Sequence, residues 1–235
     1  MLEVREAVGG YGDLRILHGV DLALAPGSWS TIIGANGAGK STLLKLVAGI
    51  VQCRGGTVRY GGEDVTTVGP VDRLLRGIGM VPQGRCNFPL LSVEENLKLG
   101  AYTQKLGREE LRVELERITQ RFPRLRERWG AMAGNLSGGE QQLLEMAMVL
   151  MTRPRLLLLD EPSLGLSPAS MALVFDVIRG LVADGITVLM VEQNARQALE
   201  VCDLGIVLEL GRVSLVESAR EVLSHPEIRR MFLGL

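Results

Sequence analysis

Gly34-Ala35-Asn36-Gly37-Ala38-Gly39-Lys40-Ser41 has the spacing of a phosphate-binding loop, and Thr42 continues it. Glycines 34, 37 and 39 let consecutive backbone N–H groups face inward without side-chain obstruction. Residues 28–33 before the loop read as an apolar strand that follows the turn Pro26-Gly27, and residues 40–48 after it read as a helix stopped by Gly49. That helix adds the positive end of its dipole, so a triphosphate would be bound mainly by backbone. Lys40 would neutralise β and γ oxygens, and Ser41 would place its hydroxyl on Mg²⁺. Asn36, Ala38 and Thr42 complete the candidate nucleotide contacts. The fold class predicted is α/β, a P-loop NTPase core.

Two further motifs lie downstream. Leu136-Ser137-Gly138-Gly139-Glu140 sits where a loop enters a helix, which makes a second anion site from a hydroxyl and free backbone donors. One nucleotide cannot easily use both sites of one chain. The motif would then cover a phosphate held by a second copy or a sister subunit, unless it is an ordinary helix cap. Residues 156–159 are four leucines, suited to a central parallel strand, and they end in Asp160-Glu161. Asp160 would hold Mg²⁺ directly or from the second shell, and Glu161 would point at the γ-phosphate and orient or polarise the attacking water. The plain-structure readings are a Gly-rich turn, a helix cap and a strand-end carboxylate; the order of the three is what points to a bound and hydrolysed nucleotide.

The chain of 235 residues is 46% hydrophobic and 23% charged, enough to build a core without disulfide or metal. A net charge of −1 argues against broad attraction to nucleic acid or anionic lipid. Cysteines 53, 86 and 202 form neither a disulfide framework nor a zinc pattern, which fits a reducing cytosol. No run approaches the roughly 18 apolar residues that would span a bilayer, and Met1-Leu2-Glu3-Val4-Arg5-Glu6 has no signal-peptide core. Work at a membrane would therefore depend on another subunit.

Strands are expected at residues 2–8, 19–24, 57–60, 78–81 and 186–191, with a terminal hairpin at 204–210 and 212–216. Helices are expected at 70–76, 108–121 and 141–151, and after Ser167-Pro168. Ser92-Val93-Glu94-Glu95 has capping-box spacing. The whole chain, 1–235, reads as one ATP-binding domain. Residues 1–82 and 155–235 form its α/β core with an antiparallel β subdomain, and residues 83–154 form an inserted α-helical subdomain carrying the Ser137 motif.

From Tyr11-Gly12 through the phosphate loop, Gln83, Leu136-Ser137-Gly138-Gly139-Glu140 and Asp160-Glu161, the chain resembles the ATP-binding subunits of ABC transporters nearly end to end. The resemblance implies that Tyr11 stacks on adenine, that Gln83 contacts Mg²⁺ or the attacking water and relays its state to the helical subdomain, and that Gln193 stands where most members carry a histidine reaching the γ-phosphate. It implies ATP and Mg²⁺ as ligands and a second ATP-binding subunit, either identical or paralogous. It also implies integral-membrane permease subunits, an extracytoplasmic substrate-binding protein, a place on the cytoplasmic face of the cell membrane, and no nucleic acid. Val81-Pro82-Gln83-Gly84-Arg85, Phe88-Pro89 with Ser92-Val93-Glu94-Glu95-Asn96-Leu97, Glu161-Pro162-Ser163-Leu164-Gly165-Leu166 and Val191-Glu192-Gln193-Asn194-Ala195 narrow the likeness to LivF-type subunits of branched-chain amino acid importers. A different transported substrate, or a soluble ABC ATPase acting on ribosomes or DNA, is the alternative. Ser167 replaces the usual aspartate after Glu161, and Met148 replaces a common arginine.

Overall fold

The computed structural model describes residues 1–232. β1 (Leu2–Tyr11) and β2 (Leu14–Leu24) form a long antiparallel hairpin. On its other side β1 pairs with β4 (Cys53–Tyr60), which β5 (Glu63–Asp64) extends, giving the order β2-β1-β4-β5. A second sheet has the order β10-β9-β3-β8-β7-β6. Its strands β3 (Trp29–Ile33), β6 (Ile78–Val81), β7 (Leu156–Asp160), β8 (Thr187–Val191) and β9 (Leu204–Glu209) run parallel, and β10 (Arg212–Ser218) closes the edge antiparallel.

The leucine run explains the layering. A parallel strand covered on both faces needs apolar side chains at every position, because alternate residues point to opposite sides. Leu157 and Leu159 enter one core with Val188 and Met190 of β8, whereas Leu156 and Leu158 enter the other with Leu189 and Val191. The first core is roofed by helices α3 (Val93–Gly100), α4 (Arg108–Arg121), α6 (Gly138–Leu150) and α7 (Pro168–Ala183). α5 (Pro123–Glu127) adds Leu125 to it. The second core holds α1 (Lys40–Val47) between the two sheets.

β1 and β10 run on past their expected ends to Tyr11 and Ser218, and two further strands start early. β2 begins at Leu14 rather than 19, and β4 at Cys53 rather than 57. Both pair with β1 through register shifts, and each shift interrupts the apolar alternation that marks a strand in sequence. α6 begins three residues before its expected start because its cap, Ser137, precedes two glycines. The span 108–121 and the strand 78–81 fall where expected.

Arg73, on α2 (Pro70–Leu75), is only 1% exposed and has no carboxylate partner. Its guanidinium donates to the carbonyls of Val68 (2.9 Å), Leu46 (2.9 Å), Val47 (2.8 Å) and Thr66 (3.1 Å), and to that of Val65. Leu46 and Val47 end α1; the Leu46 carbonyl also accepts from the Gly49 N–H (3.1 Å), and Arg73 adds a donor to each and joins that terminus to the segment after β5. Burial lowers the Arg73 pKa, yet the carbonyl cage suits the charged form. Arg73→Ala would strand several buried acceptors and should cost at least about 3 kcal/mol of stability, since hydrogen bonds to charged groups contribute about 1.5–3 kcal/mol each. Urea unfolding checks it; a loss below about 1 kcal/mol contradicts the assignment.

Candidate functional site

Four adjacent parallel strands deliver the candidate residues to one edge. The phosphate loop follows β3, Gln193 lies beyond β8, Asp160 and Glu161 stand at the end of β7, and Gln83 lies just past β6. Residues scattered from 34 to 193 thereby meet outside the carboxyl ends of the strands, where open parallel sheets place ligands. Ile16, Gly37, Lys40, Gln83, Glu161 and Gln193 are among those lining the cleft there.

Close packing dictates the glycines of the loop. A Cβ on Gly34 would stand 2.2 Å from the Leu208 carbonyl oxygen, and Gly39 has a left-handed φ of 102° at the position that starts α1. Lys40, 5% exposed, donates from Nζ to the carbonyls of Gly34 (2.8 Å) and Ala35 (3.0 Å), so its ammonium lies across the loop. Burial lowers its pKa, against the upward pull of Glu161 and Asp160.

Ser41 Oγ donates to Asp160 Oδ1 at 2.8 Å. Asp160 Oδ2 is buried without a hydrogen-bond partner, and burial is the main cause of the raised Asp160 pKa. An orphaned carboxylate oxygen beside a hydroxyl is an all-oxygen donor set, which fits Mg²⁺. Among the described residues no cluster of three or more His, Cys, Asp or Glu could hold a metal by itself, so phosphate and water oxygens would have to complete the shell.

Glu161 adopts φ 51°, uncommon outside glycine, while its N–H donates to the Val191 carbonyl (2.9 Å) and its carboxylate accepts from Gln83 Nε2 (2.7 Å). Next to Gln193, the buried carboxylate of Glu192 accepts from the Ser163 N–H at 3.0 Å, tying the β8 terminus to the loop after Glu161.

Gly34, Ala38 and the buried Asp160 lie behind the cleft lining, and Tyr11 and the Ser137 motif stand apart from it. Tyr11 ends β1 and is 49% exposed, while Ile16 of β2 does line the cleft. Ser137 caps α6, its Oγ accepting from the Glu140 N–H (3.3 Å) while the Glu140 carboxylate accepts from the Ser137 N–H (2.8 Å). Ser137 and Gly138 are exposed and face no part of this chain's own phosphate loop cleft. Ser167 caps α7 by accepting from the Ser170 N–H (3.3 Å), a duty that aspartate performs equally well. Met148 packs half-buried against the helical core, and nothing in the structure explains why it should replace an arginine.

Sequence reasoning missed Ile16, because β2 was expected to start after it. It also gave no role to Glu145 or Glu192, since a buried acid looks like a surface acid until its partners fold around it.

A phosphate loop joining the first parallel strand to its helix, with acidic residues at the end of another strand of the same sheet, defines a P-loop nucleotide-binding protein. The family model described as ABC transporter matches residues 17–164. The chain belongs to the ABC transporter family, whose ATP-binding cassettes hydrolyse ATP. It is 42% identical over 224 residues to the high-affinity branched-chain amino acid transport ATP-binding protein BraG of Pseudomonas aeruginosa, covering 95% of each chain. It is 39% identical over 236 residues to the probable branched-chain amino acid transport ATP-binding protein LivF of Archaeoglobus fulgidus, covering 100% of this chain and 99% of that one. Among solved structures, a nucleotide-free ATP-binding cassette from an ABC transporter superposes with TM-score 0.88 at 27% identity, covering 97% of this chain and 96% of the other. A dimeric cassette, MJ0796, in a post-hydrolysis state bound to ADP and Pi, superposes with TM-score 0.81 at 25% identity, covering 94% and 99%. Among the described residues no helix is long and apolar enough to cross a membrane.

Burial raises the Glu192 pKa, with hydrogen bonds from Ser163 opposing it. A carboxyl group whose folded pKa is raised favours the folded state fully below its unfolded pKa, and that contribution is lost as pH rises through the folded value. Glu192→Gln keeps an acceptor for Ser163 but cannot ionise. Its melting temperature should exceed that of the intact protein at pH 8, and the gap should shrink as pH falls toward the ordinary glutamate range. A gap independent of pH counts against this.

Proposed function

We propose that this chain is the ATP-hydrolysing subunit of an importer for branched-chain amino acids or related amino acids and amides. The observation that carries the reading is the pairing of Ser41 with Asp160 beside the pairing of Gln83 with Glu161, at one end of one cleft. ATP is the substrate; Lys40 and the N–H groups of Gly37, Ala38, Gly39 and Ser41 receive its phosphates, with Asn36 and Thr42 alongside. Ser41 and Asp160 would hold Mg²⁺, with Gln83 as a further candidate ligand, and the ion would supply charge compensation to the phosphate oxygens. Glu161 orients the attacking water, Gln193 hydrogen-bonds the γ-phosphate without carrying a charge, and Tyr11 stacks on adenine. The relatives BraG and LivF, both branched-chain amino acid transport ATP-binding proteins, support the substrate class.

Ser137, Gly138, Gly139 and Glu140 stand outside their own chain's cleft, and this supports a head-to-tail pair in which each nucleotide is held by the loop of one chain and covered by the Ser137 helix tip of the other. The second chain is a copy or a paralogue. The dimeric cassette bound to ADP and Pi is a precedent for such pairing. Two ATP molecules favour the closed pair, hydrolysis removes the contacts that favoured it, and closure pulls on membrane permease subunits. The chain thus works as one cassette, with residues 1–82 and 155–235 as its nucleotide-binding core and 83–154 as its helical part. It works at the cytoplasmic face of the membrane, and an extracytoplasmic binding protein delivers the substrate to the permease.

Lys40→Ala should abolish ATPase activity while the fold, followed by circular dichroism, is kept; normal turnover refutes the site. Glu161→Gln should bind MgATP and accumulate as a closed dimer, alone or with its sister chain, measurable by light scattering. A monomer at saturating MgATP in both conditions refutes the role given to the glutamate.

A further inference from the structure

Between Gln83 and α3 the chain is held by two buried polar side chains. Asn96 of α3 works locally: its Oδ1 accepts from the Phe88 N–H (2.8 Å), and its Nδ2 donates to the carbonyls of Phe88 (3.0 Å), Leu91 (3.2 Å) and Ser92 (2.9 Å). Glu145 works at a distance. It lies on α6, is buried, and its Oε1 accepts from the N–H of Cys86 (3.0 Å), the N–H of Asn87 (3.3 Å) and Asn87 Nδ2 (2.6 Å). Three donors converging on one carboxylate oxygen form a charge-assisted clamp that would leave two backbone N–H groups unpaired if removed.

The clamp joins two parts of the proposed machinery. Gln83, which donates to Glu161, is separated from Cys86 only by Gly84 and Arg85, both exposed. Gly84 has a left-handed φ of 88° and open space around it, so the short piece before the clamp can pivot. On the other side, Glu145 lies about two turns along α6 from its cap, Ser137. Pro89 and Leu91 carbonyls also accept from Gly134 and Ala133, but those bonds lie farther from Gln83 and are backbone to backbone. Glu145 is the link nearest the cleft.

We propose that Glu145 is a positioning residue, tying the loop after Gln83 to the helix that presents Ser137, so that the occupancy of one chain's cleft sets where its helix tip stands for the partner's nucleotide. This rests on the two-chain reading above. Burial and the neighbouring Glu145 push the Cys86 thiol up to about 12, so Cys86 fills this junction as an inert group.

The test uses the purified full chain, alone or mixed with its sister ATP-binding chain, in a Glu161→Gln background, with MgATP-driven dimerisation followed by light scattering. The parent reports on the two-chain reading: no dimer there sinks that reading and leaves no ground for the proposal. With a dimerising parent, Glu145→Ala should need about tenfold more MgATP for half-maximal dimerisation, a typical coupling between sites. ATP binding by the dilute monomer should be unchanged. Glu145→Gln, which keeps an oxygen acceptor, should recover most of the loss. With Glu161 intact, Glu145→Ala should raise KM for MgATP in step with the dimerisation curve, while nucleotide binding by the dilute monomer stays unchanged. Parent-like dimerisation of Glu145→Ala, or a Gln variant no better than Ala, overturns the proposal. If Glu145→Ala does not fold, Asn87→Asp decides: it leaves α6 untouched and sets a like charge against Glu145. It should shift dimerisation in the same direction, and a parent-like curve overturns the proposal.

Discussion

A carboxylate sealed at the end of four buried leucines is the constraint on which the site is built. Burying a charge is costly unless it is partnered, and Asp160 meets that demand on one oxygen only, through Ser41. The hydrogen bond spans two strands that do not touch, since β8 lies between β3 and β7, so it fixes the phosphate loop against the far side of the cleft. The unpaired second oxygen is where the proposed Mg²⁺ would be held.

Around that constraint, neighbouring strand ends hold one another. Glu161 is anchored through its own N–H to β8 and through its carboxylate to Gln83 beyond β6. Glu192 at the end of β8 reaches the loop after Glu161. Glu161 is thereby bonded to groups from two other strand ends, whereas Lys40 is held by carbonyls of its own loop.

The phosphate loop, Asp160-Glu161, and the helix over residues 108–121 were legible in the sequence because their chemistry is local: glycine spacing, an apolar run, a charged helical period. The parallel sheet followed from the leucines. The front of β2 and of β4 was illegible because irregular pairing with β1 destroys alternation, and Ile16 was lost with it. Glu145, Glu192 and Arg73 were illegible for another reason. Their roles arise from partners 59, 29 and up to 27 positions away, which only tertiary structure supplies. Ser167, a departure from the usual aspartate in sequence, caps α7, a position where aspartate also caps well.

Arg73 grips the far end of α1, the same helix whose near end faces the phosphate loop. A helix pinned at its tail behaves as an anvil. In the proposed cycle, movement on arrival or loss of a terminal phosphoryl group would fall on the opposite jaw, where Gln83 adjoins Gly84, and would leave the molecule on the side of α3 and α6.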